Sequence, residues 1–198
     1  MQEIPTEPPV LEGRYVRLDP LSMAHLARLI EIGLEGDIFR WYAQSIKTAE
    51  DMKALIELAL EEQRAGKSLP FATIERATGL AVGSTRFMTI DRPNRTIEIG
   101  YTWIAPAWQR TAINTEAKYL MMRCAFESWG CNRVGLKTDS LNERSRRAIA
   151  RIGAKEEGIL RNHMVTASGR LRHSVYFSVI REEWPDVRAE LERKLARD

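Results

Sequence analysis

Thr96 to Ile104 reads as a strand, and the stretch best suited to chemistry follows it: Ala105-Pro106-Ala107-Trp108-Gln109-Arg110-Thr111-Ala112-Ile113-Asn114-Thr115-Glu116. A proline turn and a short polar loop lead into a helical pattern capped by Asn114 or Thr115. A loop that ends on a helix start aims unpaired backbone N–H groups and the positive end of the helix dipole at one point, which suits an anion such as phosphate. Arg110 either adds charge to that ligand or is a solvated loop residue. His163 and His173 fall on two later predicted strands, where an imidazole with a natural pKa of about 6.5 could accept a proton. Phe39-Arg40-Trp41-Tyr42 is a dense aromatic knot between two helical patterns.

The elements that must position these groups follow from periodicity. Residues 1–12, with Pro5, Pro8 and Pro9, form an extended arm, and Tyr15 to Leu18 a first strand. A helix capped near Ser22 turns Leu26, Leu29, Ile30 and Gly33 inward, with His25 in its first turn as a surface or capping residue. A second helix starts at Thr48, where Thr48-Ala49-Glu50-Asp51 approximates a capping box, and ends at Gly66. Leu69 to Glu75, Ala81 to Ile90 and Thr96 to Ile104 form an antiparallel meander. Alternation puts Ile97, Ile99, Tyr101 and Trp103 on one face of its third strand and Glu98, Gly100, Thr102 and Ile104 on the other. The helix after the loop is apolar on two faces, with a polar strip through Glu116, Arg123 and Glu127, so protein should cover most of it. Arg133 to Asp139 must run parallel to Thr96 to Ile104, because a helical crossover joins them. Ser140-Leu141-Asn142 opens another helix that Gly153 stops. A hairpin of Gly158 to Val165 and Arg170 to Ile180 follows, then a charged amphipathic helix over 186–197. This order predicts a mixed α/β (α+β) domain with helices on both faces of the sheet.

The run WQRTAINTEAKYLM, with YTWIAPAW before it and LKTDSLNERSRRAIARIGAKEEGILR after it, resembles the GNAT acetyltransferases, and most closely their ribosomal-protein N-acetyltransferase branch. The likeness runs from Leu11 to Trp184. It implies the GNAT fold, a mostly antiparallel sheet with one parallel pair whose ends splay apart, and acetyl-CoA as cofactor. The pantetheine arm would lie between the diverging ends of Glu98 to Ile104 and Arg133 to Asp139. The pyrophosphate would sit on Gln109, Arg110, Thr111, Ala112, Ile113 and Asn114, with Thr115 behind. The usual family signature is Gln/Arg-x-x-Gly-x-Gly/Ala. Gln109 matches its first place, but Ala112 and Asn114 fill the two later ones, and alanine tolerates a positive φ poorly, so this loop should keep ordinary dihedrals at Ala112.

The resemblance also implies roles. Asn142 and Ser145 match the family's Asn-x-x-Ser element, so Asn142 would contact the pantetheine arm and Ser145 would protonate the departing thiolate; as bare sequence they are a helix cap and a small core residue. Where many relatives carry a tyrosine, this chain has Ile149. Glu98 is the candidate base for the acceptor amine, through water, unless it is a surface or ion-paired glutamate; His163 and His173 are the alternatives. Phe39, Trp41, Tyr42 and His163 would line the acceptor site. Arg144, Arg146, Arg147 and Arg151 form a solvated helix face, from which Arg147 is the candidate for the 3′-phosphate.

Composition narrows the remaining classes. A chain of 198 residues is long enough for one substantial core and short for two, so one domain over 1–198 is expected. Lys and Arg number 30 against 27 Asp and Glu, and the net charge of +3 is too small to imply nucleic-acid binding. The two cysteines, Cys124 and Cys131, support neither a disulfide framework nor a metal site. No apolar run approaches a membrane span and no secretory leader is visible, which predicts a cytoplasmic protein. The expected activity is transfer of an acetyl group to a primary amine, a protein N-terminus or a small molecule, by direct attack in a ternary complex; a homodimer is compatible with it. The alternatives are an acetyltransferase for antibiotics, polyamines or amino-acid conjugates, and a CoA-binding regulatory module that has lost catalysis.

Overall fold

A computed structural model of the chain describes residues 3–197, so Met1 and Gln2 of the predicted arm lie outside it. In chain order the elements are β1 (Leu11–Glu12), β2 (Val16–Pro20), α1 (Leu26–Gly33), α2 (Ala49–Arg64), β3 (Ser68–Glu75), β4 (Ala81–Asp91), β5 (Thr96–Ile104) and α3 (Ala112–Arg123). They continue with β6 (Arg133–Asp139), α4 (Glu143–Arg151), β7 (Lys155–Val165), β8 (Leu171–Ile180) and α5 (Trp184–Leu195). The strands form one eight-stranded sheet in the order β1-β2-β3-β4-β5-β6-β8-β7. Among the described residues only β5 and β6 pair in parallel, as the α3 crossover requires.

The local signals explain most boundaries. Thr48 Oγ1 accepts the Asp51 N–H at 3.1 Å and Asp51 returns a bond to the Thr48 N–H at 3.0 Å, which closes the capping box of α2. His25 accepts the Ser22 N–H through Nδ1 at 3.1 Å, a capping role. Gly153 sits at φ 94 where α4 stops. Helix α3 is capped by Thr111 rather than by Asn114 or Thr115, and a π-helical turn, Cys124–Ser128, extends it.

Two apolar layers flank the sheet. On one face α1 and α2 bring Leu29, Ile32, Met52 and Ile56 onto Ala72, Ile74 and Trp103. On the other, α3, α5 and the end of α4 bury Met121, Met122, Leu191 and Ile149 against Phe71, Phe87, Ile97, Ile99, Val134 and Val175. Both thiols are interior, and burial pushes Cys124 up to about 12 and Cys131 to about 11. We expect neither to react with iodoacetamide at pH 8 in the native protein and both to react in 6 M guanidinium; fast native labelling counted by mass spectrometry would contradict this.

Two further expectations are corrected. A β-bulge at Tyr101–Thr102 breaks the alternation of β5: Arg86 pairs with Gly100 and Ser84 with Trp103, so Tyr101 and Thr102 together oppose Thr85. Tyr101 takes φ 48 to make the turn. Beyond it the faces exchange, so Trp103 joins the α1–α2 layer and Ile104 stays with Ile97 and Ile99. The predicted polar strip of α3 holds only for Arg123 and Glu127. Glu116 is buried and accepts the backbone N–H groups of Arg14, Tyr15 and Val16 at 2.8, 2.6 and 2.7 Å.

Candidate functional site

The site begins where the parallel pair stops. Strands β5 and β6 are paired at Thr96 with Arg133, Ile97 with Val134 and Glu98 with Gly135, and no farther. Beyond Gly135, β6 remains paired with β8 up to Asp139, while β5 follows β4 up to Ile104. The bulge turns β5 away from β6 and leaves a wedge between the two strand ends, both with backbone groups open to a third, extended chain.

The loop at the mouth of the wedge is held from both sides. Gln109 donates from Nε2 to the Ile104 carbonyl at 2.8 Å and accepts from Arg144 Nη1 at 2.7 Å. Thr111 Oγ1 donates to the Trp108 carbonyl at 2.7 Å and accepts from Ile113 N at 3.4 Å. The left-handed position falls on exposed Arg110, at φ 64, so buried Ala112 begins α3 in helical geometry. Thr115 Oγ1 accepts from Arg151 at 2.9 Å. Asn114 carries a buried side-chain oxygen with no hydrogen-bond partner among the described residues. Asn142 caps α4 by accepting the Ser145 N–H at 3.1 Å. Arg147 lies on the solvent side of α4 beside Glu143, and Arg144 is the member of its cluster that reaches the loop.

The other side of the wedge is a polar sheet face that α1 and α2 leave uncovered, because they pack on β3 and β4. Alternation places Glu98, Lys137, Ser174 and Tyr176 there. Glu98 is buried and ion-paired with Lys137 at 3.0 Å. His163 meets Ser174 Oγ at 3.0 Å through Nδ1 and the Tyr176 hydroxyl at 3.4 Å through Nε2. Partial desolvation, then the charges of Lys137 and Arg172, hold His163 below its usual pKa, with Glu98 opposing. His173 accepts the Asn162 N–H at 2.8 Å and so braces a bulge in β7.

The segment between α1 and α2 roofs this face. The Trp41 carbonyl accepts from Arg172 at 3.2 Å and the Ala43 carbonyl from Ala167 N at 2.7 Å. Tyr42 stacks edge-on against Tyr101 at 5.8 Å, and burial pushes its phenol pKa up. Phe39 is a core residue, packed between Tyr42 at 5.0 Å and Trp103 at 5.4 Å, so it supports the roof from behind.

The wedge opens just past the ion-paired Glu98, and the loop that leads into α3 follows the free end of β5. Residues 16–155 match the acetyltransferase (GNAT) domain. The chain belongs to the GNAT acetyltransferases. Over 106 residues it is 36% identical to a Bacillus subtilis protein provisionally named ribosomal N-acetyltransferase YdaF, a match that spans 54% of this chain and 57% of that relative. A GCN5-related N-acetyltransferase from Brucella melitensis is 34% identical, with a TM-score of 0.87 over 94% of this chain and 85% of the other. Mycobacterium smegmatis RimJ, solved in complex with CoA-disulfide, shares the fold at a TM-score of 0.77 and 22% identity, over 90% of this chain and 88% of that one.

Lys137, Tyr176 and Arg172 escaped the sequence reading, which named Arg144 as one of the arginine cluster on α4. The parallel register could have found Lys137, since Glu98 pairs with Gly135 and Lys137 is the next residue on the same face. Lys118, also missed, is buried on α3 and donates to Thr102 Oγ1 at 2.6 Å.

Proposed function

We propose that this GNAT acetyltransferase transfers an acetyl group from acetyl-CoA to a primary amine, on a protein N-terminus or a small molecule, with both substrates bound at once. The observation that carries this reading is the parting of β5 and β6 after three paired positions, directly above the start of α3. The residues fit the carrier. Gly100–Ile104 and Leu136–Asp139 offer strand edges to an amide-bearing arm, Asn114 has a buried oxygen needing a donor, and the first turn of α3 with Arg110 can take the phosphates. RimJ, which shares the fold, was solved in complex with CoA-disulfide, which supports CoA as the carrier.

Bound acetyl-CoA supplies an acetyl group activated as a thioester. Glu98 takes a proton from the incoming ammonium, directly or through one water, and Lys137 keeps its carboxylate oriented. Ser145, at the first turn of α4, holds a hydroxyl proton for the departing sulfur. Trp41, Tyr42 and His163 border the acceptor. With both cysteines buried and protonated, a thiol nucleophile on the enzyme has no place in the scheme.

Calorimetry with CoA and a screen of amines test the proposal. Glu98→Gln should lower kcat/KM about 100-fold and Ser145→Ala about tenfold, both with CoA affinity unchanged. No heat on adding CoA would defeat the cofactor assignment, and wild-type turnover in both variants would defeat the roles.

A further inference from the structure

The face that carries Glu98 holds more cations than anions. Apart from the Arg86–Glu62 and Arg133–Glu157 pairs, its carboxylates are Glu98, paired with Lys137, and Asp139, which is paired with Arg170 and lies 3.8 Å from Arg172 Nε. His163 adds no charge near neutrality, because its pKa is lowered. Three cations therefore share two carboxylates.

Two donors on this face also lack acceptors among the described residues. Arg172 is 8% exposed and spends Nη1 on the Trp41 carbonyl, but its Nε is buried without a hydrogen bond, the Asp139 oxygen being out of reach. The Tyr42 hydroxyl, on the roof, is likewise buried and unpartnered. Arg172 donates to the carbonyl of Trp41, the residue before Tyr42, which places the two donors in one neighbourhood. A buried donor left unmet is destabilising, so a pair of them where cations outnumber carboxylates marks a place for an oxygen anion from outside.

We propose that Arg172 and Tyr42 form a subsite for a carboxylate on the acceptor, so the amine acetylated here belongs to an amino carboxylate. Its ammonium goes to Glu98 and its carboxylate to the Arg172 guanidinium and the Tyr42 hydroxyl. Free amino acids present this chemistry, and so do peptides with an acidic residue beside the amino terminus. The inference rests on the reading of the wedge as an acyl-transfer site.

The test compares matched acceptors: glycine and β-alanine against their amides, and Ala-Asp peptides against Ala-Asn peptides. Wild-type kcat/KM should favour the carboxylate member about tenfold or more in at least one series, and the series tells which source is used. Tyr42→Phe removes a hydroxyl that bonds nothing in the fold, and it should shrink that preference rather than slow both members alike. Equal rates within every pair, or an equal loss for both members in Tyr42→Phe, would overturn the proposal, the latter by showing that the hydroxyl serves the transferred acetyl group. If no amine is acetylated, the transfer reading fails, but thermal melts still decide the subsite. N-acetylglycine should raise the melting temperature of the wild type and not of Arg172→Lys, while N-acetylglycinamide raises neither; no rise with N-acetylglycine counts against the subsite.

Discussion

Glu116→Gln lowers the unfolding free energy by about 3 kcal/mol and the melting temperature by roughly 6 to 12 °C. The native carboxylate is an acceptor at both oxygens, and three consecutive backbone N–H groups, from Arg14 to Val16, point at it from 2.6 to 2.8 Å. An amide of the same shape keeps one acceptor and turns its NH₂ toward a donor, so at least one buried N–H is left unmet beside a repelling group. Gly13 belongs to the same device, since a Cβ there would overlap the Glu116 carboxylate. Gly13→Ala should therefore destabilise too, through crowding. Differential scanning calorimetry of both variants is the check, and a Glu116→Gln midpoint within 2 °C of wild type, as an order-of-magnitude bound, would sink the account.

Lys118→Met makes the protein more stable at pH 7, and the gain fades as the pH rises. Burial lowers the Lys118 pKa from 10.5 to about 7, and its partners are the hydroxyls of Thr102 at 2.6 Å and Thr85 at 3.4 Å. Below pH 7 the native state must hold the charge, and the penalty is present in full. Between pH 7 and 10.5 the native amine is neutral while the unfolded chain remains protonated, so the unfolded state binds more protons and wild-type stability climbs with pH. One pKa unit is worth about 1.4 kcal/mol, which gives a rise of about 2 kcal/mol from pH 7 to pH 9. Methionine fills the space with no charge to lose. The stability difference between variant and wild type, from urea unfolding at pH 7, 8 and 9, should shrink by that amount. Both proteins carry the cysteines, whose opposing contribution cancels in the subtraction. A difference flat with pH would rule out a neutralised lysine.

The element order, the parallel pair and the helix that follows the wedge were legible because each rests on local pattern or on the chirality of a crossover. Boundaries of β5 and β6 agree with the sequence reading residue for residue. The exchange of faces within β5 was not legible. A bulge inserts one residue, and nothing in Gly100-Tyr101-Thr102 distinguishes it from continued alternation except the preceding glycine. Glu116 and Lys118 were misread or missed for a shared reason. A helical wheel assigns charged residues to water, whereas their partners come from Arg14 to Val16, about a hundred residues earlier, and from two threonines on other strands. Asn114 drew the cap assignment on its type, but Thr111 holds the extended backbone a cap needs. Phe39 was grouped with Trp41 and Tyr42 on composition, which carries no information on depth, and the fold sets it behind Tyr42 in the core.

Strand β7 closes the sheet as an outermost strand of eleven residues, almost all exposed, with Ile159 and Leu160 among them. Such a strand is a template for unwanted polymerisation. Its register shifts twice against β8, and Gly158 at φ 152 and Asn162 at φ 50 twist it out of plane near those shifts. A foreign chain could match it only in short runs, which keeps the exposed apolar pair from seeding fibres. Straightening β7 by replacing the backbone demands at Gly158 and Asn162 would trade that protection for a longer sticky margin.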